Sequence, residues 1–404
     1  MSTTQELPSQ LQYLTNDHSL SWCDHWIYRY DDVGGRVSQP AKYRFLPAHR
    51  DQMVIPWGLA KMDNGEVAVA GVASPAYIGQ SKDAPKQTVL AFSRDQGATW
   101  SDYVEVEGCD SRPIMLAYLG NGVLSFMSSF EAQNCRYYSK DYGRTWTEKI
   151  ALDTAPDGLQ VSSEGNSLVE YDDKGVAVAM TETGQTVRWL PEGHYQCCGC
   201  VRWSHDGGRS WDRFEWPDEW RWQDTHKGQT HDRGVGEGGL VRAANGWIVA
   251  ALRLDMPAKF LPLGNDNFTG TAVSISKDNG QTWSPLQFVL DLGRHHATLV
   301  RLPNDDLLMT FVRRLDMKDD KLASYRRGCD AVISHDHGLT WDVDHTYVLD
   351  EFSATGTLND ARTRGLWFRT ACGHQFSIAL DDGFVLTTYG NYRSAGALIL
   401  WKPF

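Results

Sequence analysis

Alternating apolar and polar residues recur in six segments of similar length, each ending in a turn rich in Asn, Asp or Gly. A second run of apolar, β-branched and aromatic residues follows each turn, as in EVAVAGV, VLSFMSS and WIVAALR. Period-two alternation on both sides of a turn predicts a β-hairpin. The six segments are residues 55–65, 112–122, 164–175, 237–246, 296–306 and 374–383.

An eight-residue motif, Ser-x-Asp-x-Gly-x-Thr/Ser-Trp, follows five of the six hairpins. In each copy the Asp carboxylate can accept backbone N–H groups across a turn, the Gly can take a positive φ, and the Trp can pack the turn against its neighbour. The motif therefore predicts a second tight turn in each unit. The copies are residues 93–100, 139–146, 204–211, 276–283 and 334–341.

Together the two repeats define a unit of strand, turn, strand, loop, strand, motif turn and strand. Six such units predict an all-β fold, a six-bladed β-propeller of four-stranded antiparallel blades. The last unit lacks the motif, and we expect the N-terminal segment 19–31 to supply its outer strand and close the ring. No linker interrupts the chain, so residues 1–404 are predicted to form a single domain.

Charge and composition narrow the possible partners. With 39 Lys and Arg against 51 Asp and Glu, the net charge is −12, which disfavours nucleic acid and anionic membrane surfaces as partners. There is no apolar run of about 18 residues and no apolar N-terminal leader, so we expect a soluble, cytoplasmic protein. The eight cysteines include one CxxC pair but no second pair or His cluster, so neither a metal nor another cofactor is predicted.

Strand direction indicates which residues face the functional end of the ring. If both turns of a unit lie at one end, the start of strand one, the end of strand two and the start of strand three lie at the other. Ionisable groups from several units would converge there, and burying them without a purpose is costly. The residues that this register places at the mouth are Arg112, Glu164, Glu237, Arg253, His296, Arg313, Arg327, His374 and Tyr389.

The repeated motif on four-stranded units resembles the sialidase (neuraminidase) superfamily, whose propellers carry it as the Asp box or BNR repeat. The resemblance extends from about Ile55 to Trp401. It implies a catalytic Glu at the start of one inner strand and an Arg at the end of the next, matched by Glu237 and Arg253. A further Arg before the next Asp box is matched by Arg327. Paired guanidinium groups suit a sugar carboxylate, since each offers two N–H donors in carboxylate geometry.

The sequence also departs from this family. The Arg-Ile-Pro signature of the first inner strand is replaced by Val54-Ile55-Pro56, and the family's nucleophilic Tyr is missing beside His374. Tyr389 could reach the site from the adjacent strand. The family's acid/base Asp is expected on the loop that holds Asp83.

Four functions remain open at this stage. The first is an exo-acting glycoside hydrolase that removes a terminal, carboxylated sugar from a glycan, without a cofactor. The second resembles the exo-arabinanases, with Glu164 and Glu237 flanking the bond; about 5–5.5 Å between carboxyl groups would indicate retention and about 6.5–9.5 Å inversion. The third is a uronate lyase with His374 or His296 as base and Tyr389 as acid. The fourth is a glycan-binding propeller without catalysis.

Tryptophan is abundant, with 16 copies, five of them in the Asp boxes. Trp57 lies near the predicted mouth of the first unit and is expected to bind substrate. The cluster Trp216, Trp220 and Trp222, on the segment before Glu237, is likewise predicted to stack on sugar rings.

Overall fold

The computed structural model describes residues 22–74, 86–129, 133–189, 195–263, 267–318, 321–324, 326–353, 375–390 and 396–403. Strands, numbered β1 to β29 along the chain, dominate this part. Its helices are two short 3₁₀ segments, Asp218–Trp220 and Ala258–Leu263. Neither has the length and apolar character that a membrane-crossing helix requires.

Four of the predicted units form separate four-stranded antiparallel sheets, in which the strands lie side by side in chain order. The all-β prediction is therefore confirmed, as is the four-stranded meander for these units. The strands are β3 (Met53–Lys61), β4 (Val67–Ser74), β5 (Gln87–Ser93) and β6 (Val104–Glu105); β7 (Arg112–Tyr118), β8 (Leu124–Ser129), β9 (Cys135–Ser139) and β10 (Glu148–Ala151); β11 (Leu168–Tyr171), β12 (Ala177–Trp189), β13 (Tyr195–Ser204) and β14 (Arg213–Glu215); and β17 (Val235–Arg242), β18 (Ile248–Leu254), β19 (Thr271–Ser276) and β20 (Gln287–Leu290).

The other two units belong to one nine-stranded sheet instead of two separate ones. In spatial order its strands are β21 (Arg294–Arg301), β22 (Leu307–Arg313), β25 (Arg326–Ser334), β26 (Tyr347–Ser353), β1 (Cys23–Tyr30), β2 (Arg36–Phe45), β29 (Gly396–Trp401), β28 (Val385–Gly390) and β27 (Gln375–Ala379). Two small hairpins complete the described strands: β15 (Trp222–His226) with β16 (Gln229–Arg233), and β23 (Asp316–Lys318) with β24 (Lys321–Ser324).

The N-terminal segment joins the last unit differently from our expectation. We predicted that residues 19–31 would lie beside the final sheet strands, but it is β2 that pairs with β29. β1 lies one position further out, between β2 and β26. A tight turn causes this: the Asp31 carboxylate accepts the N–H groups of Val33 and Gly35, and Gly34 has φ +76°. The chain therefore reverses at this turn, which leaves β1 beside β26 and β2 beside β29.

The sheets are arranged in a ring, which gives the fold its propeller-like form. The first strands of successive units lie next to one another: β3 contacts β7 and β27, and β21 contacts β17 and β27. Apolar clusters fill the spaces between neighbouring sheets; one of them joins Leu90 and Phe92 of β5 to Leu116 of β7 and Phe126 of β8. Burial of such side chains between sheets holds the ring together.

All five Ser-x-Asp-x-Gly turns have the same hydrogen bonds. In the first, the Ser93 hydroxyl donates to Asp95, and the N–H of Gly97 donates to Ser93. Asp95 also accepts the N–H and the hydroxyl of Thr99, at 2.7 and 2.6 Å. Gly97 has φ +93°, and a Cβ there would press against Leu386 of the neighbouring unit. The motif therefore needs Gly both for its backbone conformation and for close packing.

Candidate active site

Bulges in the inner strands position the candidate side chains. The pairing of β17 with β18 shifts between Val235 and Gly238, and that of β21 with β22 shifts between His295 and Thr298. Glu237 and His296 lie within these bulges, and His296 has the unusual φ of +55°. A bulge turns a side chain away from the ordinary alternation and bends the strand, so two polar groups enter the site from otherwise apolar strands.

Glu237 lies at the centre of a buried cluster of charged and polar groups. Its Oε2 accepts a hydrogen bond of 2.7 Å from Arg253 at the end of β18 and lies 2.7 Å from Nδ1 of His296. The other ring nitrogen of His296, Nε2, lies 3.2 Å from the Arg314 guanidinium. Gln375 donates to the His296 carbonyl and so ties β27 to the same bulge.

The contact with Arg314 indicates which ring nitrogen of His296 accepts and which faces Glu237. A guanidinium group has only donors, so Nε2 of His296 must act as the acceptor in this contact. The ring proton is then on Nδ1, facing the Glu237 carboxylate.

Glu164 enters the site from the neighbouring unit, before β11. Its Oε1 accepts a hydrogen bond of 3.0 Å from Arg112, the first residue of β7. The Arg112 guanidinium lies 4.7 Å from the ring centre of Trp57, a cation–π contact. Trp57 itself is only 4% exposed. Trp57 therefore stacks against Arg112 and, contrary to expectation, does not expose a ring face to substrate.

Two glycines allow the two carboxylates to approach. A Cβ at Gly165 would overlap the carbonyl oxygen of Gly238. Asn166 ties the strands together, since its Nδ2 donates to the Leu240 carbonyl at 2.7 Å and its Oδ1 accepts the N–H of Leu299. Glu164 and Glu237 directly precede these glycines, so this close backbone contact sets the distance between them.

One oxygen of Glu164, one of Glu237 and one ring nitrogen of His296 all lie within 4.8 Å of one another. This is the one set of three donors in the described residues that could hold a metal ion. A cation there would compete with the guanidinium groups of Arg112 and Arg253, which already neutralise the carboxylates. The arrangement therefore suits a reaction of a substrate bond held between the two carboxylates better than metal binding.

A pocket of about 480 Å³ opens beside Glu237 and Arg253. Its lining also includes Gln185 and Trp189 of β12, which sequence reasoning missed. Both lie beyond the regular hairpin repeat, on the extended end of the longest strand. The available signal in the sequence was a Trp outside the repeated motifs. Cys197 also lines the pocket, but burial, followed by the nearby Asp255 charge, raises the pKa of its thiol well above the usual value. Cys197 therefore remains a protonated thiol at neutral pH.

Two predicted mouth residues lie in a different cluster. Arg313 donates to Asp330 at 2.6 Å, and the Tyr389 hydroxyl donates to Asp350. Burial raises the pKa of Asp350 to about 7. Arg313 and Tyr389 are fully buried against β25 and β26, so our placement of both at the mouth was wrong. Adjacent strand residues face opposite sides, and it is Arg314, one position later, that faces His296.

The remaining candidates are distributed as follows. Arg327 is buried in β25, opposite Phe352 of β26. Asp83 and His374 lie outside the described residues. Trp220 is buried against Trp283, and Trp222 donates to the Gly234 carbonyl, so these two rings belong to the core instead of a sugar-binding surface. Trp216 packs edge-on against Phe214.

Comparison with known proteins places the fold among propeller proteins. A model of the BNR/Asp-box repeat matches residues 274–285. None of the curated proteins matches the chain in sequence. A protein of unknown function from Dyadobacter fermentans is similar in structure, with TM-score 0.59 and 15% identity over 89% of this chain and 99% of that one.

Two enzymes of known structure are also similar. Trypanosoma rangeli sialidase has TM-score 0.50 and 13% identity over 96% of this chain, which spans 57% of the sialidase. Penicillium chrysogenum α-L-arabinanase, solved with arabinobiose, has TM-score 0.50 and 11% identity over 94% of this chain and 98% of its own. At such identities the similarity establishes a shared fold, while the chemistry must be argued from the site.

Proposed function

We propose that this protein is a glycoside hydrolase that uses Glu164 and Glu237 in a retaining mechanism. The observation that supports this most is the distance between the two carboxylates, whose facing oxygens lie within 4.8 Å. Retaining enzymes hold their carboxyl groups about 5–5.5 Å apart, while inverting enzymes need about 6.5–9.5 Å for a water molecule. The fold shared with a sialidase and an arabinanase supports the same reaction class.

We assign Glu237 as the nucleophile and Glu164 as the acid/base. Arg253 and the Nδ1–H of His296 both face one oxygen of Glu237, which favours its charged, nucleophilic form. Glu164 is held by Arg112, whose side chain is 22% exposed and can separate from Glu164 when substrate enters. Once Arg112 has separated from it, Glu164 takes up a proton from solvent, donates this proton to the leaving oxygen, and later removes a proton from the attacking water.

The lyase hypothesis is less well supported by this geometry. Its base would have to be His296 or His374, but Nε2 of His296 accepts from Arg314 and its Nδ1–H faces Glu237. Its acid, Tyr389, is buried with Asp350. Neither His296 nor Tyr389 is therefore placed to move a proton to or from a sugar.

Charge favours a carboxylated terminal sugar as the substrate, as in an exo-acting, sialidase-like hydrolase. Arg112, Arg253 and Arg314 place three guanidinium groups around Glu164 and Glu237, and Asp255 adds a third carboxyl group to the pocket wall. The guanidinium groups offer paired N–H donors to a sugar carboxylate within a protein that is negative overall. Entry of such a substrate would let Arg112 or Arg253 exchange a glutamate for the sugar carboxylate.

The proposal includes the finer description of the fold as one six-bladed propeller with five Asp boxes. In support, the order β21, β22, β25, β26 repeats that of the separate sheets, and β27, β28, β29, β2 repeats it again. On this view the β1–β2 hairpin joins blades five and six into the nine-stranded sheet.

Aryl glycosides of sialic acid, uronic acids and arabinofuranose test the function directly. We expect hydrolysis of one class, with NMR showing retention of anomeric configuration. Glu237→Gln and Glu164→Gln should each lower kcat/KM by about 10²- to 10⁴-fold. Glu170→Gln, which removes a partly exposed carboxylate paired with Arg242, is the matched control and should keep wild-type activity.

Azide separates the two roles. With Glu164→Ala, azide should restore turnover and give a glycosyl azide of retained configuration. With Glu237→Ala, azide should restore turnover and give a glycosyl azide of inverted configuration. The opposite pattern would exchange the roles. An unsaturated, ultraviolet-absorbing product would instead establish elimination, and full activity of Glu237→Gln would refute the site.

A further inference from the structure

The outer half of β12 lines the pocket with a regular row of side chains. Gln185, Val187 and Trp189 alternate along the strand, so they share one face, and all three border the pocket. At about 3.3 Å per residue the row is about 13 Å long. That length accommodates more than the single ring that would lie at Glu237.

The inner end of this row touches the catalytic strand. A Cβ at Gly236 would overlap the side-chain oxygen of Gln185, so Gln185 lies directly beside the residue that precedes Glu237. The N–H and the carbonyl of Gln185 both pair with Ser162, through hydrogen bonds of 2.8 and 2.9 Å, and Gly199 of β13 lies on the other side. The row is therefore a rigid extension of the catalytic site.

The outer end of the row carries an exposed aromatic ring. Trp189 is 74% exposed, although Trp residues are usually well buried. Its indole borders the same pocket as the amides of Gln160 and Gln185. An aromatic face with amides nearby suits a sugar ring, whose C–H face stacks on the indole while its hydroxyl groups bond to the amides.

The row itself carries no charge, since Gln185, Val187 and Trp189 are all neutral. Arg188, the one ionisable side chain in this stretch of β12, points to the other face and lies 3.7 Å from Asp157. Charged groups are concentrated at Glu237 instead. The two ends of the pocket therefore favour different sugars.

We propose that Gln185, Val187 and Trp189 form a second subsite, which binds a neutral sugar ring next to the one that is cleaved. The preferred substrate is then an oligosaccharide, and not a monosaccharide linked to a small aglycone. This inference rests on the hydrolase function proposed above.

Dependence on substrate length tests the subsite. The experiment compares kcat/KM of Trp189→Ala on an aryl monoglycoside and on a tetrasaccharide that ends in the same sugar. The loss on the tetrasaccharide should exceed the loss on the monoglycoside by about 3- to 10-fold, as expected for one stacking contact. Trp189→Phe, which keeps an aromatic ring, should recover most of the kcat/KM on the tetrasaccharide. Trp26→Ala, which removes another exposed Trp on β1, is the matched control and should change neither value.

Binding gives a measurement that does not need turnover. The tetrasaccharide should shift the tryptophan fluorescence of the wild-type protein and of Glu237→Gln, but not that of Trp189→Ala. Equal losses on both substrates, or unchanged binding by Trp189→Ala, would overturn the subsite while leaving the hydrolase function standing. Failure of the hydrolase function is distinct, because the wild-type protein would then cleave no glycoside of either length.

Discussion

At the scale of single residues, the pair Arg314 and His296 decides what the site can do. Because Arg314 can only donate, it holds His296 with the proton on Nδ1, towards Glu237. The adjacent His295 is fully buried, and burial, followed by the charge of Arg314, lowers its pKa well below the usual value. His295 is therefore neutral, and we propose that His296, whose Nδ1 lies 2.7 Å from Glu237, positions this carboxylate instead of exchanging protons with substrate.

Two substitutions at His296 test this role. Asn places its amide N–H where Nδ1–H is, so His296→Asn should lose no more than about 10-fold in kcat/KM. Gln places its amide nearer the Nε2 position, so His296→Gln should lose about 10²-fold or more. The pH profile of His296→Asn should match that of the wild type. Loss of all activity in His296→Asn, together with a missing pH limb, would show that His296 transfers protons.

At the scale of elements, the Asp-box turns are local units whose stability depends on ionised carboxylates. Asp278 accepts the hydroxyl and the N–H of Thr282, and these bonds, the hydroxyl first, lower its pKa from 3.8 to about 2. A lowered pKa in the folded state stabilises the protein above pH 3.8, and this contribution is lost as pH falls towards 2.

Asp278→Asn should therefore lower the urea midpoint most at pH 5–7. The difference from wild type should shrink as the pH is lowered from about 4 to 2, because wild-type Asp278 then becomes neutral too. Asp344→Asn, an exposed Asp outside the motif, is the control. A difference that stayed constant over this pH range would show that ionisation of Asp278 does not stabilise the turn.

At the scale of the whole molecule, the N-terminal hairpin joins the last two units of the ring, since β1 pairs with β26 and β2 with β29. Ile27 of β1 is fully buried in a cluster that includes Leu349 of β26 and Tyr389 of β28. β2 continues the contact by pairing with β29. The hairpin thus covers the edge strands β26 and β29, which would otherwise be open.

Ile27→Ala should destabilise the protein by about 2–5 kcal/mol, the usual range for such a cavity. If the hairpin locks the ring, urea unfolding should remain a single transition at a lower midpoint. Val33→Ala, at the exposed hairpin turn, should leave the midpoint unchanged. An unchanged midpoint for Ile27→Ala, or a separate early transition of the hairpin alone, would contradict this.

The two repeats were enough to predict the strands and turns of the repeated units and the all-β class. Alternation has a period of two residues, and the turn from Ser93 to Trp100 closes its hydrogen bonds within eight positions, so both can be recognised in a short stretch of chain. The same register led to Glu164, Glu237, Arg253 and His296, which the fold brings together.

The rest depended on contacts between distant segments. Regular alternation could not show that bulges at Glu237 and His296 shift the register, or that Arg314 instead of Arg313 faces the site. Nor could it show that β2 is the strand beside β29. The sequence by itself thus determined the strands and turns, because their signals are local. Only the tertiary structure decided which side chains meet, because a bulge, a close Gly165–Gly238 contact and a strand's neighbour each depend on packing across the ring.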